Sequence, residues 1–163
     1  MKIPLKTLTV FMMSLLMIIA SVPATAETPE EKGLAVAREA DIRGAGFKDS
    51  TVNMLMVLKN RHGQESTRII RSQTLEVEGD GDKSLTIFDN PKDVQGTAFL
   101  NYTHKVGDDD QWLYLPALKR VKRISSRNKS GSFMGSEFSY EDISSQEIEK
   151  YTYKWVQNEP YEG

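Results

Sequence analysis

Thr51-Val52-Asn53-Met54-Leu55-Met56-Val57-Leu58-Lys59 carries the clearest mark of the fold. It is rich in β-branched and long apolar side chains, and it lies between polar clusters, the pattern of a strand. An extended chain sends successive side chains to opposite faces. Val52, Met54, Met56 and Leu58 then share one face, and Leu55 and Val57 occupy the other. A sheet resting one face on water alternates apolar with polar residues, and this stretch does not. Each face therefore requires a helix, a second layer, a closed interior or a ligand against it.

The segments downstream repeat the pattern. Strands are predicted near Ser66–Val77, Lys83–Asp89, Thr97–Lys105, Gln111–Leu115 and Arg120–Ser125, with a last one from about Gln146 to Val156. Ile69 with Ile70, Leu85 and Ile87 against Phe88, and Phe99 against Leu100 again put apolar groups on both sides. The connections Arg61-His62-Gly63-Gln64 and Glu78-Gly79-Asp80-Gly81-Asp82 are short and carry glycine for positive φ, as antiparallel hairpins need. Asn90–Asp93 and Gly107–Asp110 are wider turns of the same kind. None can hold a crossover helix, so the sheet is predicted to be antiparallel. Upstream, Pro29 and the Glu30/Glu31 pair open a helix predicted over Thr28–Arg43, closed by Gly44-Ala45-Gly46.

The chain has 163 residues, 39% hydrophobic and 27% charged, with a net charge of −2 and no cysteine. This composition suits one folded domain and excludes a disordered chain, a disulfide scaffold, a thiolate metal site, a cysteine nucleophile and a lipidated cysteine. Residues 1–26 read as an export signal, with Lys2 and Lys6 before the apolar run Leu8–Ala20 and a small-residue exit at Ala24-Thr25-Ala26. The competing reading, an uncleaved anchor, needs about 20 apolar residues, more than this run supplies. Residues 27–163 would then form the domain, in the periplasm of a bacterial envelope.

Asp110-Gln111-Trp112-Leu113-Tyr114-Leu115-Pro116-Ala117-Leu118-Lys119-Arg120-Val121-Lys122-Arg123-Ile124, followed by Gly131-Ser132-Phe133-Met134-Gly135-Ser136-Glu137-Phe138-Ser139-Tyr140-Glu141-Asp142, resembles the outer-membrane lipoprotein-sorting protein family, within its LolA-like superfamily. Ala40-Asp41-Ile42-Arg43 and the Met/Leu-rich strand after it fit the same pattern. The resemblance implies an α+β fold, a curved antiparallel sheet forming an incomplete, half-open β-barrel packed over an N-terminal helix. It also implies an apolar cavity that accepts the acyl chains of lipoproteins or another lipid. Family members continue through further strands, so residues 27–163 are expected to be the N-terminal portion of the family domain. A fragment is one reading, and a short relative that pairs its open edge with a partner is the other.

Candidate cavity residues are Met54, Met56, Phe88, Leu100, Trp112, Tyr114, Phe133, Met134 and Phe138, with the Phe133/Met134 loop as a cover. Methionine adapts to flexible chains and aromatic rings offer broad contact with few rotors. The same residues would serve equally as ordinary core. Lys119, Arg120, Lys122 and Arg123, with Arg127 and Lys129 beyond them, form a run without an acidic residue. It suits anionic headgroups, an acidic partner such as an inner-membrane transporter or outer-membrane acceptor, or a solvated strand edge. Nucleic acid is not expected, because the chain is net acidic and no aromatic stacking module accompanies the run.

No catalytic residue, metal or cofactor is expected. The serine of Gly131–Gly135 stands one place too early for a nucleophile elbow. His62 and His104 are far apart in sequence and lack a ligand set, Asp80 and Asp82 open a calcium-like loop that is not continued, and Asn101-Tyr102-Thr103 and Asn128-Lys129-Ser130 match a glycan acceptor pattern that a bacterial envelope protein is not expected to use. The function these readings favour is a periplasmic carrier that shields acyl chains during lipoprotein sorting or lipid transfer. An accessory subunit of an efflux-type envelope transporter is the alternative.

Overall fold

The computed structural model describes residues 26–161, and the predicted signal segment lies almost wholly outside them. Helix α1 (Pro29–Gly44) begins at a complete capping box: the Glu31 N–H donates to Thr28 Oγ1 at 3.2 Å, and the Thr28 N–H donates to Glu31 Oε2 at 2.8 Å. After Gly46, at φ +88°, Glu76 takes hold of the linker, accepting from the backbone N–H groups of Gly46 and Lys48 at 2.6 and 2.7 Å. No helix among the described residues is long and apolar enough to cross a membrane.

Six strands follow: β1 (Asp49–Lys59), β2 (Glu65–Leu75), β3 (Lys83–Asn90), β4 (Ala98–Tyr102), β5 (Asp110–Leu115) and β6 (Arg120–Ile124). They form one sheet in sequence order, every neighbouring pair antiparallel. The turns do what their residues predict. Asn60 Oδ1 accepts from the N–H groups of His62 and Gln64, and Gly63 supplies φ +79°. The sheet is not closed. The fold class is thus the expected α+β arrangement, one helix with an open antiparallel sheet.

The predicted last strand, Gln146–Val156, does not form. Ile148–Lys150 make a short 3-10 turn, and the chain then runs extended beside α1 instead of along a sheet edge. The Trp155 N–H donates to the Pro29 carbonyl at 2.8 Å, and Lys32 Nζ sits 3.6 Å over the Trp155 ring. The approach explains a glycine inside a helix. A Cβ on Gly33 would lie 2.7 Å from the backbone nitrogens of Lys154 and Trp155. With α1 occupied there and burying no residue, the sheet takes its cover from the segment that follows β6.

That segment builds the core. Phe133 inserts between Phe88 of β3 and Phe99 of β4, with ring centroids 5.8 and 5.5 Å away, and Tyr140 closes on Phe99 and Phe133 at 5.4 Å from each. Ile70, Leu113 and Ile124 complete the buried apolar cluster. Met134 and Gly135, at φ +52° and +76°, turn the chain sharply so that the Phe133 N–H reaches the Phe138 carbonyl at 2.6 Å. The Arg68 guanidinium donates to the Met134 carbonyl at 2.7 Å and ties this turn to β2. Beside the aromatic cluster runs a polar interior of Thr86, Asn101, Gln111 and Thr103, all buried. Both amide atoms of Asn101 lack a protein partner, at a cost of about 1–3 kcal/mol for a buried polar group. A glycan cannot reach Asn101 in the folded chain, because both it and Thr103 are 1% exposed.

Candidate apolar cleft and charged edge

Directly paired residues of antiparallel strands share a face, so register sorts the candidate residues. Met54 pairs with Ile70 and Ile70 with Phe88, while Phe99 pairs with Leu113. This is the face that Phe133 covers. Leu100 pairs with Leu85 and Trp112, and Tyr114 pairs with Ala98 and Val121, all on the opposite face. The nine candidates therefore divide: Met54, Met56, Phe88, Phe133, Met134 and Phe138 on one side of the sheet, Leu100, Trp112 and Tyr114 on the other.

On the covered side, β1 and the Phe133–Ile143 segment stand apart and leave a cleft of about 460 Å³, within the usual range for small-molecule sites. Met54, Met56, Ile70, Phe133, Phe138 and Ile143 line it, with Thr86 the polar side chain at its floor. Ile70 and Phe133 are core residues that form its wall. Met54 and Phe138 are 38% and 52% exposed and form its rim. Phe88 is wholly buried beneath, and Met134 lines a separate crevice with Leu115 and Leu118. Phe133 is thus anchored in the core and not a cover over it. Ile143 escapes notice in the sequence, being a lone apolar residue among Tyr140-Glu141-Asp142 and Ser144.

The opposite face has no cover among the described residues. Leu55, Val57, Leu75 and Val121 are each more than half exposed there, and a groove of about 320 Å³ runs over Gln73, Leu85, Leu100 and Tyr102.

The basic run occupies β6, one edge of the sheet, and the turn before it. Arg120 and Lys122 stand on the cleft side, opposite Leu115 and Leu113. Arg123 stands on the other side and pairs with Asp110, and Lys129 pairs with Glu141 at 3.2 Å. Lys119 takes a left-handed conformation, φ +48°, just after the exposed Leu118.

The structure also gathers a charged cluster that the sequence scatters. His104 Nδ1 lies 2.8 Å from Asp80 Oδ2, and its Nε2 lies 3.5 Å from Asp110. Asp80 also accepts from the Lys105 N–H at 2.9 Å. The His104 hydrogen bond, aided by the Lys105 and Gly81 N–H groups, lowers the Asp80 carboxyl to about 2. The same bond, with help from Asp110, raises the His104 pKa above 6.5 against a smaller opposing effect of burial. Among the described residues no group of three or more His, Cys, Asp or Glu side chains is arranged to hold a metal ion.

The pair has a definite pH window. His104, raised in the folded state, stabilises fully below about pH 6.5, and that stability is lost as pH rises through its folded pKa. Asp80, lowered, stabilises above its ordinary value of 3.8 and loses that contribution as pH falls towards about 2. Both are complete between about pH 4 and 6.5. An NMR titration of His104 is expected to show a midpoint above 6.5 that falls in Asp80→Asn. Equal midpoints in the two proteins would disprove the coupling.

One helix with an open, six-stranded antiparallel meander is an α+β architecture, and comparison with known proteins shows where it recurs. A family model described as "Uncharacterized protein" matches residues 80–163. No curated protein matches the chain. Among solved structures, a Vibrio parahaemolyticus domain assigned as an outer membrane lipoprotein-sorting protein is 68% identical, with a TM-score of 0.73. The match covers 75% of this chain and 52% of that one. A DUF1329 family protein from Desulfovibrio piger is 36% identical with a TM-score of 0.71, covering 78% of this chain and 54% of that one. The chain belongs to the family of that model and shares the fold of the outer membrane lipoprotein-sorting domain, in keeping with the LolA-like family that its sequence resembles; it spans about half the length of these two structures.

Proposed function

We propose that this chain is a non-enzymatic lipid-binding module of the bacterial envelope, working in the periplasm, whose cleft takes up acyl chains of lipoproteins or of another lipid. The observation that carries the reading is the apolar cleft between β1 and the Phe133–Ile143 segment. Burial of an acyl chain gives about 0.8 kcal/mol per methylene, so a dozen methylenes give roughly 10 kcal/mol, enough to offset a typical cost of immobilisation. Uptake and release then require no bond to be made or broken. Methionines at 54 and 56 suit chains of varying length and conformation. Lys119, Arg120 and Lys122 lie at the other edge of the same sheet, where anionic headgroups of a membrane would meet them. The family supports a sorting role, and the apolar run preceding Ala24-Thr25-Ala26 supports export.

Native mass spectrometry of the protein purified from an envelope fraction tests the proposal. Co-purified lipid or acylated peptide is the expected result, with anionic lipid favoured less after charge reversal at Lys119, Arg120 and Lys122. A second reading has its own observation in the uncovered opposite face: an accessory subunit that docks on an envelope transporter. An empty protein that elutes in a fixed ratio with a membrane protein would favour that reading and exclude the carrier.

A further inference from the structure

The two edges of the sheet are built differently. On β6, Arg120, Lys122 and Arg123 supply three cations in five residues, a guard against unwanted strand addition. The other edge, β1, runs for 11 residues and carries no charge, proline or glycine from Ser50 to Leu58. Its sole charges stand at its two ends, Asp49 and Lys59. Among the described residues β1 pairs with β2 and with nothing on its outer side, and Val52, Leu55 and Val57 are about half exposed or more. A long, apolar, unguarded edge presents a row of backbone groups to any matching strand.

We infer that the matching strand is β1 of a second copy, paired antiparallel about a twofold axis at Met54. In that register Asp49 of each copy faces the second copy's Lys59, so both ends close with opposite charges. A parallel pairing would instead bring like charges together at each end. Val52 meets Met56, Thr51 meets Val57, and Met54 meets its own counterpart. Every pair joins residues of the same face, so the covered sides of both sheets lie on the same side of the joined sheet. A slip of one residue would reverse that match and pull the end charges apart, so the register is well specified. The two clefts, each rimmed by Met54 and Met56, would then meet across the axis as one longer groove. That last consequence rests on the proposed lipid-binding reading, whereas the ladder itself does not.

The absence of cysteine makes the register directly testable in the full chain. Met54→Cys places two thiols opposite each other, within the Cα separation of up to about 7 Å that a disulfide tolerates. Val57→Cys places them about 20 Å apart, at 3.4 Å per residue. Mild oxidation is expected to give a covalent dimer with Met54→Cys and none with Val57→Cys. Sedimentation of the wild type is expected to show a concentration-dependent dimer, weakened about tenfold by Asp49→Lys. Adding Lys59→Glu to that variant should recover the affinity. Lys59 also lies 3.3 Å from Glu65, so thermal unfolding is followed for each variant to confirm that it folds. A wild type that remains monomeric at high concentration overturns the inference, as does equal cross-linking at positions 54 and 57. Loss of lipid binding with the dimer intact would overturn the proposed function and leave the dimer standing.

Discussion

Phe133→Ala is expected to lower the unfolding free energy by about 3–5 kcal/mol, read as an earlier midpoint in urea with an unchanged slope. The ring is 1% exposed and touches three other aromatic side chains, so its removal empties a site bounded by two strands and by its own loop. Collapse cannot fill the space cheaply. Phe88 and Phe99 are held by the ladder, and the loop is held by the Phe133–Phe138 backbone bond and by Arg68. Such a loss is a large part of the 5–15 kcal/mol that holds a typical domain folded. Phe138→Ala, at a residue 52% exposed, should cost less than about 1 kcal/mol. Equal losses at the two positions would mean that the loop does not anchor through Phe133.

The largest functional effect is expected from Met54→Asp. A carboxylate at the cleft rim must either lose water when an acyl chain enters or hold the chain away, and both weaken binding. Titration with a fluorescent fatty acid should show at least a tenfold loss of affinity, about 1.4 kcal/mol or more. Trp112→Asp supplies the decisive contrast. Trp112 stands on the opposite face, opposite Leu100 and Arg123, and contributes nothing to the cleft wall. Its replacement should leave fatty-acid affinity within about twofold of the wild type, a difference under 0.5 kcal/mol. The reverse outcome, loss at Trp112 with Met54→Asp silent, would move the binding surface to the uncovered face.

Much of the architecture is local and therefore legible in the residues. The capping residues of α1, the glycine at position 63 and the run of β-branched and long apolar side chains in β1 act over a few positions, and α1 and the six strands that form begin and end within three residues of their predicted bounds. The misread element is instructive. Tyr151, Tyr153 and Trp155 alternate as a strand would, but alternation only makes a segment able to pair. The segment lies on α1 beside Gly33, where no ladder is offered. The polar side of the core was hidden for a similar reason. Asn101 lies in a predicted strand, but only its place opposite Gln111 and Ser84 puts it inside.

The charged cluster shows the reach of tertiary contact. His104 looks isolated in the sequence because its partners, Asp80 and Asp110, belong to other turns that only the meander stacks side by side.

The order of residues is enough to establish an antiparallel meander with apolar residues on both faces, a helix before it and one heavily basic stretch. Tertiary structure alone decided which apolar side chains face one another. Facing depends on register summed across successive strands, and a single irregularity such as the shift between Ile69 and Ile70 changes the pairing of every residue beyond it. That is why Met54 and Trp112, alike as candidates in sequence, stand on opposite sides of the sheet.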